Sequence, residues 1–213
     1  MLILALETSG DRCSVAVARG KAVLAQIVFD HERRLVERLP EMVAAACARA
    51  GCGIDDIDAI AAGIGPGSFT GARVAATFAK AWAWATGKPA VGVPGFPAAA
   101  ACEPTGRTVV GIAPCRRGEA IVWVGGDDYR VLPIDRIVGA VRELHGDHPV
   151  IAIGEAAAWL PATEGIELRP HPPLASAIAA AAWEVLRTGD RPDPNTLGPL
   201  YVAPPPIRQG VSP

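Results

Sequence analysis

An α/β fold built from two similar halves is what this sequence predicts, and three observations predict it. Apolar runs at residues 2–7, 13–18 and 22–29 are separated only by the turn compositions Thr8-Ser9-Gly10-Asp11 and Arg19-Gly20-Lys21, the spacing of a three-strand meander. From Leu35 the apolar period becomes helical, and helix then alternates with strand. After residue 106 the same order begins again. The chain has 213 residues, enough for one large domain or two small ones.

In the first half, Leu35, Leu39, Met42 or Val43, Ala46 and Ala50 recur at helical spacing until Gly51 and Gly53 stop the segment. Ile57 to Ile64 is an unbroken apolar run ending in Gly65-Pro66-Gly67, as in a buried strand. Ser68 is placed to cap the next helix, which runs to Thr86 before Gly87 and Pro89. A short strand over 90–93 and a helix over 95–102 close the half.

Glu103-Pro104-Thr105-Gly106 reads as a linker. It divides residues 1–103, an N-terminal ribonuclease H-like subdomain, from a smaller C-terminal subdomain, 104–213. The second meander is expected at 107–113, 119–124 and 129–132, turned by Arg116-Arg117-Gly118 and Gly125-Gly126-Asp127. A helix over 135–145, a strand over 150–153, a short helix over 156–160, a strand over 166–169 and a helix over 174–187 follow. The tail from Asp190 holds seven prolines and predicts little regular structure. A meander followed by alternating helix and strand, twice, is the duplicated ribonuclease H-like fold of actin-like ATPases and sugar kinases (ASKHA), here with the second half abbreviated.

Composition narrows the function. Half the chain is hydrophobic, and 20 basic residues face 22 acidic ones for a net charge of −2. A generally basic nucleic-acid binder is excluded, as is an acidic disordered chain. Five cysteines without a CxxC pair suit a reducing compartment. No apolar run approaches the roughly 20 residues of a membrane span, and the amino terminus lacks the pattern of a signal peptide. The sequence reads as that of a cytoplasmic protein with no membrane partner.

The segment richest in information is Gly63-Ile-Gly-Pro-Gly-Ser-Phe-Thr-Gly-Ala-Arg-Val74, between a predicted strand and helix, where backbone N–H groups could receive an anion. A phosphate loop needs Lys and a hydroxyl after its last glycine, but Ala72 and Arg73 follow Gly71. The dinucleotide pattern fails too, since Thr70 stands where the third glycine belongs. Local chemistry alone reads as a tight turn with close helix packing.

Gly65-Pro-Gly-Ser-Phe-Thr-Gly-Ala-Arg73 resembles the GPGSFTGLR signature of the TsaB family, also called YeaZ. Leu2 to Ser9, Cys13 to Val17, Asp56 to Ile60, Ala79-Lys80, Val91 to Pro94 and Arg116 to Glu119 resemble its flanking blocks. The resemblance is dense to residue 95 and thins beyond. It implies a non-catalytic subunit in the formation of N6-threonylcarbamoyladenosine at position 37 of tRNA (t6A37), activating a catalytic paralogue, TsaD, by heterodimerisation. It further implies a TsaE-like ATPase as partner, tRNA reached through the complex, and a homodimer in the partner's absence. No cofactor is implied for this chain alone; ATP or ADP is expected at the partner complex. The turn would comprise Gly65, Pro66, Gly67, Ser68, Thr70 and Gly71.

In the resemblance the first two helices form the subunit interface, which places Leu35, Arg38, Leu39, Met42, Val43, Phe69, Arg73, Ala76, Lys80 and Ala83 there. Each helix must also bury a face on the sheet. Trp82 and Trp84 lie roughly 200° apart around a helix, so one is expected inward and the other outward. Glu7 stands where the family has Asp, Leu35 where it commonly has His, and Pro114-Cys115 where it has Asp-Ala; Tyr201-Val-Ala only loosely matches a Tyr-Leu-Arg. These losses of polar groups argue against ATP hydrolysis. No catalytic or metal-binding residue is assigned, and His145 and His148 read as exposed loop residues. Glu7, Asp11, Glu119 and Asp127 are candidates to meet at a cleft, with Arg116, Arg117 and Arg130 as phosphate contacts. The competing reading is a stand-alone actin-like nucleotide hydrolase or peptidase.

Overall fold

The computed structural model describes residues 1–30, 34–103 and 107–203. Of the segments read above, the part of the linker at 104–106 and the tail beyond 203 lie outside the described residues.

The first half contains β1 (Leu2–Glu7), β2 (Arg12–Arg19), β3 (Ala22–Asp30), α1 (Leu35–Arg49), β4 (Ala59–Gly63), α2 (Phe69–Thr86), β5 (Ala90–Val93) and α3 (Gly95–Ala100). The second contains β6 (Thr108–Pro114), β7 (Glu119–Gly125), β8 (Asp128–Pro133), α4 (Ile134–His145), β9 (Val150–Ile153), a 3-10 turn (Glu155–Trp159), β10 (Ile166–Arg169) and α5 (Ala175–Leu186). Their sheets have the orders β3-β2-β1-β4-β5 and β10-β9-β6-β7-β8. Read from its meander edge, the second is 8-7-6-9-10, the same topology repeated. In both, the meander is antiparallel and the later strands run parallel to the first. The duplicated ribonuclease H-like architecture is therefore present. The second half is shorter because a 3-10 turn stands where the first half has α2.

The two faces of the first sheet differ in residue size, and this determines what covers them. Leu4, Leu6, Val15, Val17 and Ile60 point to the side of α1 and α2, packing with Leu35, Leu39, Val43, Ala75 and Ala79. Their neighbours in the two-residue period, Ile3, Ala5, Ala16, Ala18, Ala59 and Ala61, face α5. The alanines of α5, at 175, 177, 179 and 182, meet those of the sheet, so helix and strands approach closely. Both faces are covered, which is why these strands read as near-continuous apolar runs. Each fully buried Leu or Ile contributes about 2 kcal/mol.

α5 follows β10 in sequence but packs on β1 and β2 of the first half. Its amino terminus is capped from that sheet: Ala175 N–H donates to Ser14 Oγ (2.8 Å) and Ser176 N–H to Gln26 Oε1 (3.0 Å). Conversely, Phe96 of α3 is buried among Val109, Ala113, Ile121 and Ile153 of the second sheet. The helix that closes each half thus reaches the other half. The tail forms a strap: Leu197 is buried in the first core, and Leu200 N–H donates to Ile64 O (2.8 Å).

Candidate functional site

The motif turn is a weld between β4, α2 and the β1–β2 turn. Gly65 has φ +93°, which favours glycine, and the Gly65–Pro66 bond is cis. A Cβ on Gly67 would overlap the carbonyl oxygen of Ser9, and one on Gly71 that of Thr8. Thr8 Oγ1 donates to Gly71 O (2.7 Å). Ser68 caps α2 by accepting from Gly71 N–H (3.2 Å), while its own N–H donates to Ser9 O (2.5 Å). Three backbone donors of this helix start, those of Ser68, Gly71 and Ala72, are thus used internally. The glycines serve close approach of backbones. Pro66, Gly67 and Ser68 line the cleft between the halves, Thr70 faces the outer surface, and Gly71 is buried.

Glu7, directly below this turn, is fully buried. Its Oε1 accepts from Ser9 N–H (2.7 Å) and Ser9 Oγ (2.6 Å), while Oε2 has no partner among the described residues. Burial raises its carboxyl above the usual range, opposed by the Ser9 hydrogen bonds.

A cleft of about 540 Å³ separates the halves, lined by Asp11, the turn at 66–69, the segment Pro114 to Arg117, Glu155 and the strap from Pro199 to Ala203. Of the four carboxylates expected to gather, Asp11 alone is here. Glu7 lies in the core, Glu119 pairs with Arg116 (3.4 Å), and Asp127 sits on the exposed β7–β8 turn. Glu155, not foreseen, takes their place: its Oε1 accepts from the Asp11 N–H across the cleft. Burial, with a contribution from Asp11, raises its carboxyl to about 7. Arg116 and Arg117 line the cleft, whereas Arg130 is held by Asp128 (2.7 Å). Among the described residues, no group of three or more His, Cys, Asp or Glu is placed to hold a metal.

A second cavity, about 400 Å³, is a groove between α1 and α2, floored by Leu39 and walled by Val36, Arg73, Val74 and Phe78. The expected interface helices do flank a groove, but half the residues expected on their surface are buried, Leu39 among them reaching only its floor. Leu35, Leu39, Val43, Ala76 and Ala83 are all at most 4% exposed and belong to the core. Their helical period is the strongest apolar one, and the strongest apolar stripe packs on the sheet. Arg38, Met42, Phe69 and Lys80 are half-buried, and Arg73 is exposed; Arg38 lies over the Phe29 ring at 5.8 Å. Val36 is 69% exposed, and Val74 and Phe78 are half-buried, packing against the edge of the first core while they wall the groove. Apolar residues out of phase with the core stripe were the signal for them. Trp82 is buried and Trp84 exposed, as the spacing predicted.

A protein-family model described as TsaD, tRNA N6-adenosine threonylcarbamoyltransferase, matches residues 22–142. The tRNA threonylcarbamoyladenosine biosynthesis protein TsaB of Escherichia coli is 30% identical over 167 residues, 72% of this chain and 72% of that protein. The chain belongs to the TsaB family. The Haemophilus influenzae TsaB is 38% identical over 96 residues, a match spanning 43% of this chain and 38% of its own length. YeaZ from Pseudomonas aeruginosa superposes with TM-score 0.78 at 25% identity, over 94% of this chain and 99% of that one. The TsaB fold accounts for the duplicated topology, and the family signature falls on the weld beneath α2.

Proposed function

We propose that this chain acts in tRNA threonylcarbamoyladenosine formation as a non-catalytic subunit. It would activate and scaffold a TsaD-like threonylcarbamoyltransferase by heterodimerising through the α1–α2 groove. The observation that carries this reading is the groove itself. Exposed Val36 and the half-buried Val74 and Phe78, which also pack against the edge of the first core, form its apolar centre, with Arg73 and Thr77 around it. An apolar centre with a polar rim is the anatomy of a protein interface. In the absence of the paralogue the same face would pair with a second copy.

The motif turn supports the silent role. Three donors of that helix start, those of Ser68, Gly71 and Ala72, are already bonded within the chain, which supports a turn that rigidifies α2 over one that does chemistry on a nucleotide. ATP or ADP belongs, in this reading, at the assembled complex, where a TsaE-like ATPase would act. With a net charge of −2 the chain reaches tRNA through its partner, since tight binding requires neutralising many phosphates. No helix among the described residues is long and apolar enough to cross a membrane, in keeping with work in the cytoplasm.

The test is reconstitution of tRNA modification from purified components, with and without this chain. Co-purification with the paralogue and loss of product when the chain is omitted are the expected results. Full modification without it would refute the proposal.

A further inference from the structure

Starting from the reading of the α1–α2 groove as the partner surface, we propose that Arg73 is its charged anchor, positioned by Tyr201 of the C-terminal strap. The catalytic paralogue seated in the groove then presents a carboxylate to it.

Arg73 stands on the groove wall. Its guanidinium carbon lies 3.6 Å from the centroid of the Phe69 ring, and its Nε donates to the Tyr201 hydroxyl at 3.1 Å. Tyr201 in turn packs on Phe69, with centroids 5.1 Å apart and rings inclined at 39°. The strap is itself held, by Leu197 in the core and by the Leu200 N–H on Ile64 O. An exposed arginine ordinarily samples many rotamers, and fixing it on binding has an entropic cost. Here a cation–π contact and a hydrogen bond to a tethered residue fix it beforehand.

The nature of the partner follows from charge. Among the described residues Arg73 has no carboxylate partner, so only Nε is engaged and the two NH2 groups remain available. Lys80, seven residues on and so on the same face of α2, has no ion-pair partner among the described residues either. The facing helix α1 lines the groove with Val36 and Leu39, and its carboxylates are Glu37, already paired with Arg34, and Glu41. The α2 side of the groove is therefore cationic. The Arg73 side chain lines the groove while its guanidinium rests on Phe69 and Tyr201, which line the cleft, so the planar fork stands where groove and cleft meet and matches a carboxylate bidentately.

Titration calorimetry of the full chain against its own paralogous threonylcarbamoyltransferase, at two salt concentrations, tests this. Arg73→Met is expected to weaken binding about 50-fold and to flatten its salt dependence. Tyr201→Phe keeps the ring stack and loses the hydrogen bond, weakening binding about fivefold. Arg73→Lys, which retains charge but loses the fork, is expected not to restore wild-type affinity. Because Tyr201 acts through Arg73, the double variant Arg73→Met/Tyr201→Phe is expected to bind no more weakly than Arg73→Met alone. Wild-type affinity in Arg73→Met, additive losses in the double variant, or an effect on self-association alone would each overturn the proposal. A wild-type chain that does not bind the paralogue is a distinguishable result, which overturns the groove reading beneath it.

Discussion

The side chain of Glu7 occupies the space that a side chain at Gly63 would fill. A Cβ on Gly63 would overlap Glu7 Oε2, and Gly95 lies against the same oxygen. The carboxyl cannot swing aside, because Ser9 holds Oε1 through both its N–H and its hydroxyl. Gly63→Ala is therefore expected to destabilise the fold by about 2 kcal/mol. Glu7→Asp, one methylene shorter, should recover at least half of that loss. Denaturant melts of the two single variants and the double variant read this coupling directly; strictly additive losses would refute it.

The signature glycine at 71 has a different neighbour. Its α-carbon packs against the Thr8 carbonyl, which belongs to a backbone and cannot rotate away. Gly71→Ala is expected to cost about 3 kcal/mol, although alanine is the better helix former. Ala85, exposed on the same helix, provides the comparison: Ala85→Gly should cost only about 1 kcal/mol. Similar melting temperatures for the two variants would show that the motif glycine is there for some reason other than close packing.

The groove makes a prediction that separates core from interface. Val36→Glu puts a charge on a residue that is 69% exposed and in the first turn of α1, where a carboxylate suits the helix dipole. Its melting temperature should stay near wild type while affinity for the paralogue falls about 100-fold. Ala76→Arg, at a site 3% exposed, should instead fail to fold. If Val36→Glu binds the paralogue normally, the groove is not the interface.

These contrasts show what could and could not be read from sequence. Residues 90–93 and 150–153 are strands with the bounds the sequence predicts, because apolar runs bounded by turn residues depend only on local chemistry, and the strand expected near 166–169 is present as well. Leu35, Leu39 and Val43 were recognised as an apolar stripe, but a stripe does not say whether a sheet or a partner covers it. Val36, Val74 and Phe78, out of phase with that stripe, line the groove between α1 and α2. Other relationships join residues far apart in the chain. The caps of α5 come from Ser14 and Gln26, the partner of Arg73 is Tyr201, and the carboxyl opposite Asp11 is Glu155. No spacing rule links such pairs.

That last pair supports a prediction about pH. Glu155 has its carboxyl raised from 4.5 to about 7 by burial and by the neighbouring Asp11. Between those values the folded chain retains a proton that the unfolded chain releases. Stability therefore falls as pH rises from about 4.5 to about 7 and levels off above that, as linkage requires. Glu7, also raised by burial, contributes a slope of the same sign. Glu155→Gln keeps an oxygen to accept the Asp11 N–H but removes the titration, so it should flatten much of the decline and leave the part due to Glu7. Asp11→Asn removes the facing charge and should move the end of the decline to lower pH. Calorimetric melts from about pH 5 to 8 distinguish these outcomes. An unchanged slope in Glu155→Gln would mean that the carboxyl pair across the cleft does not hold a proton near neutrality.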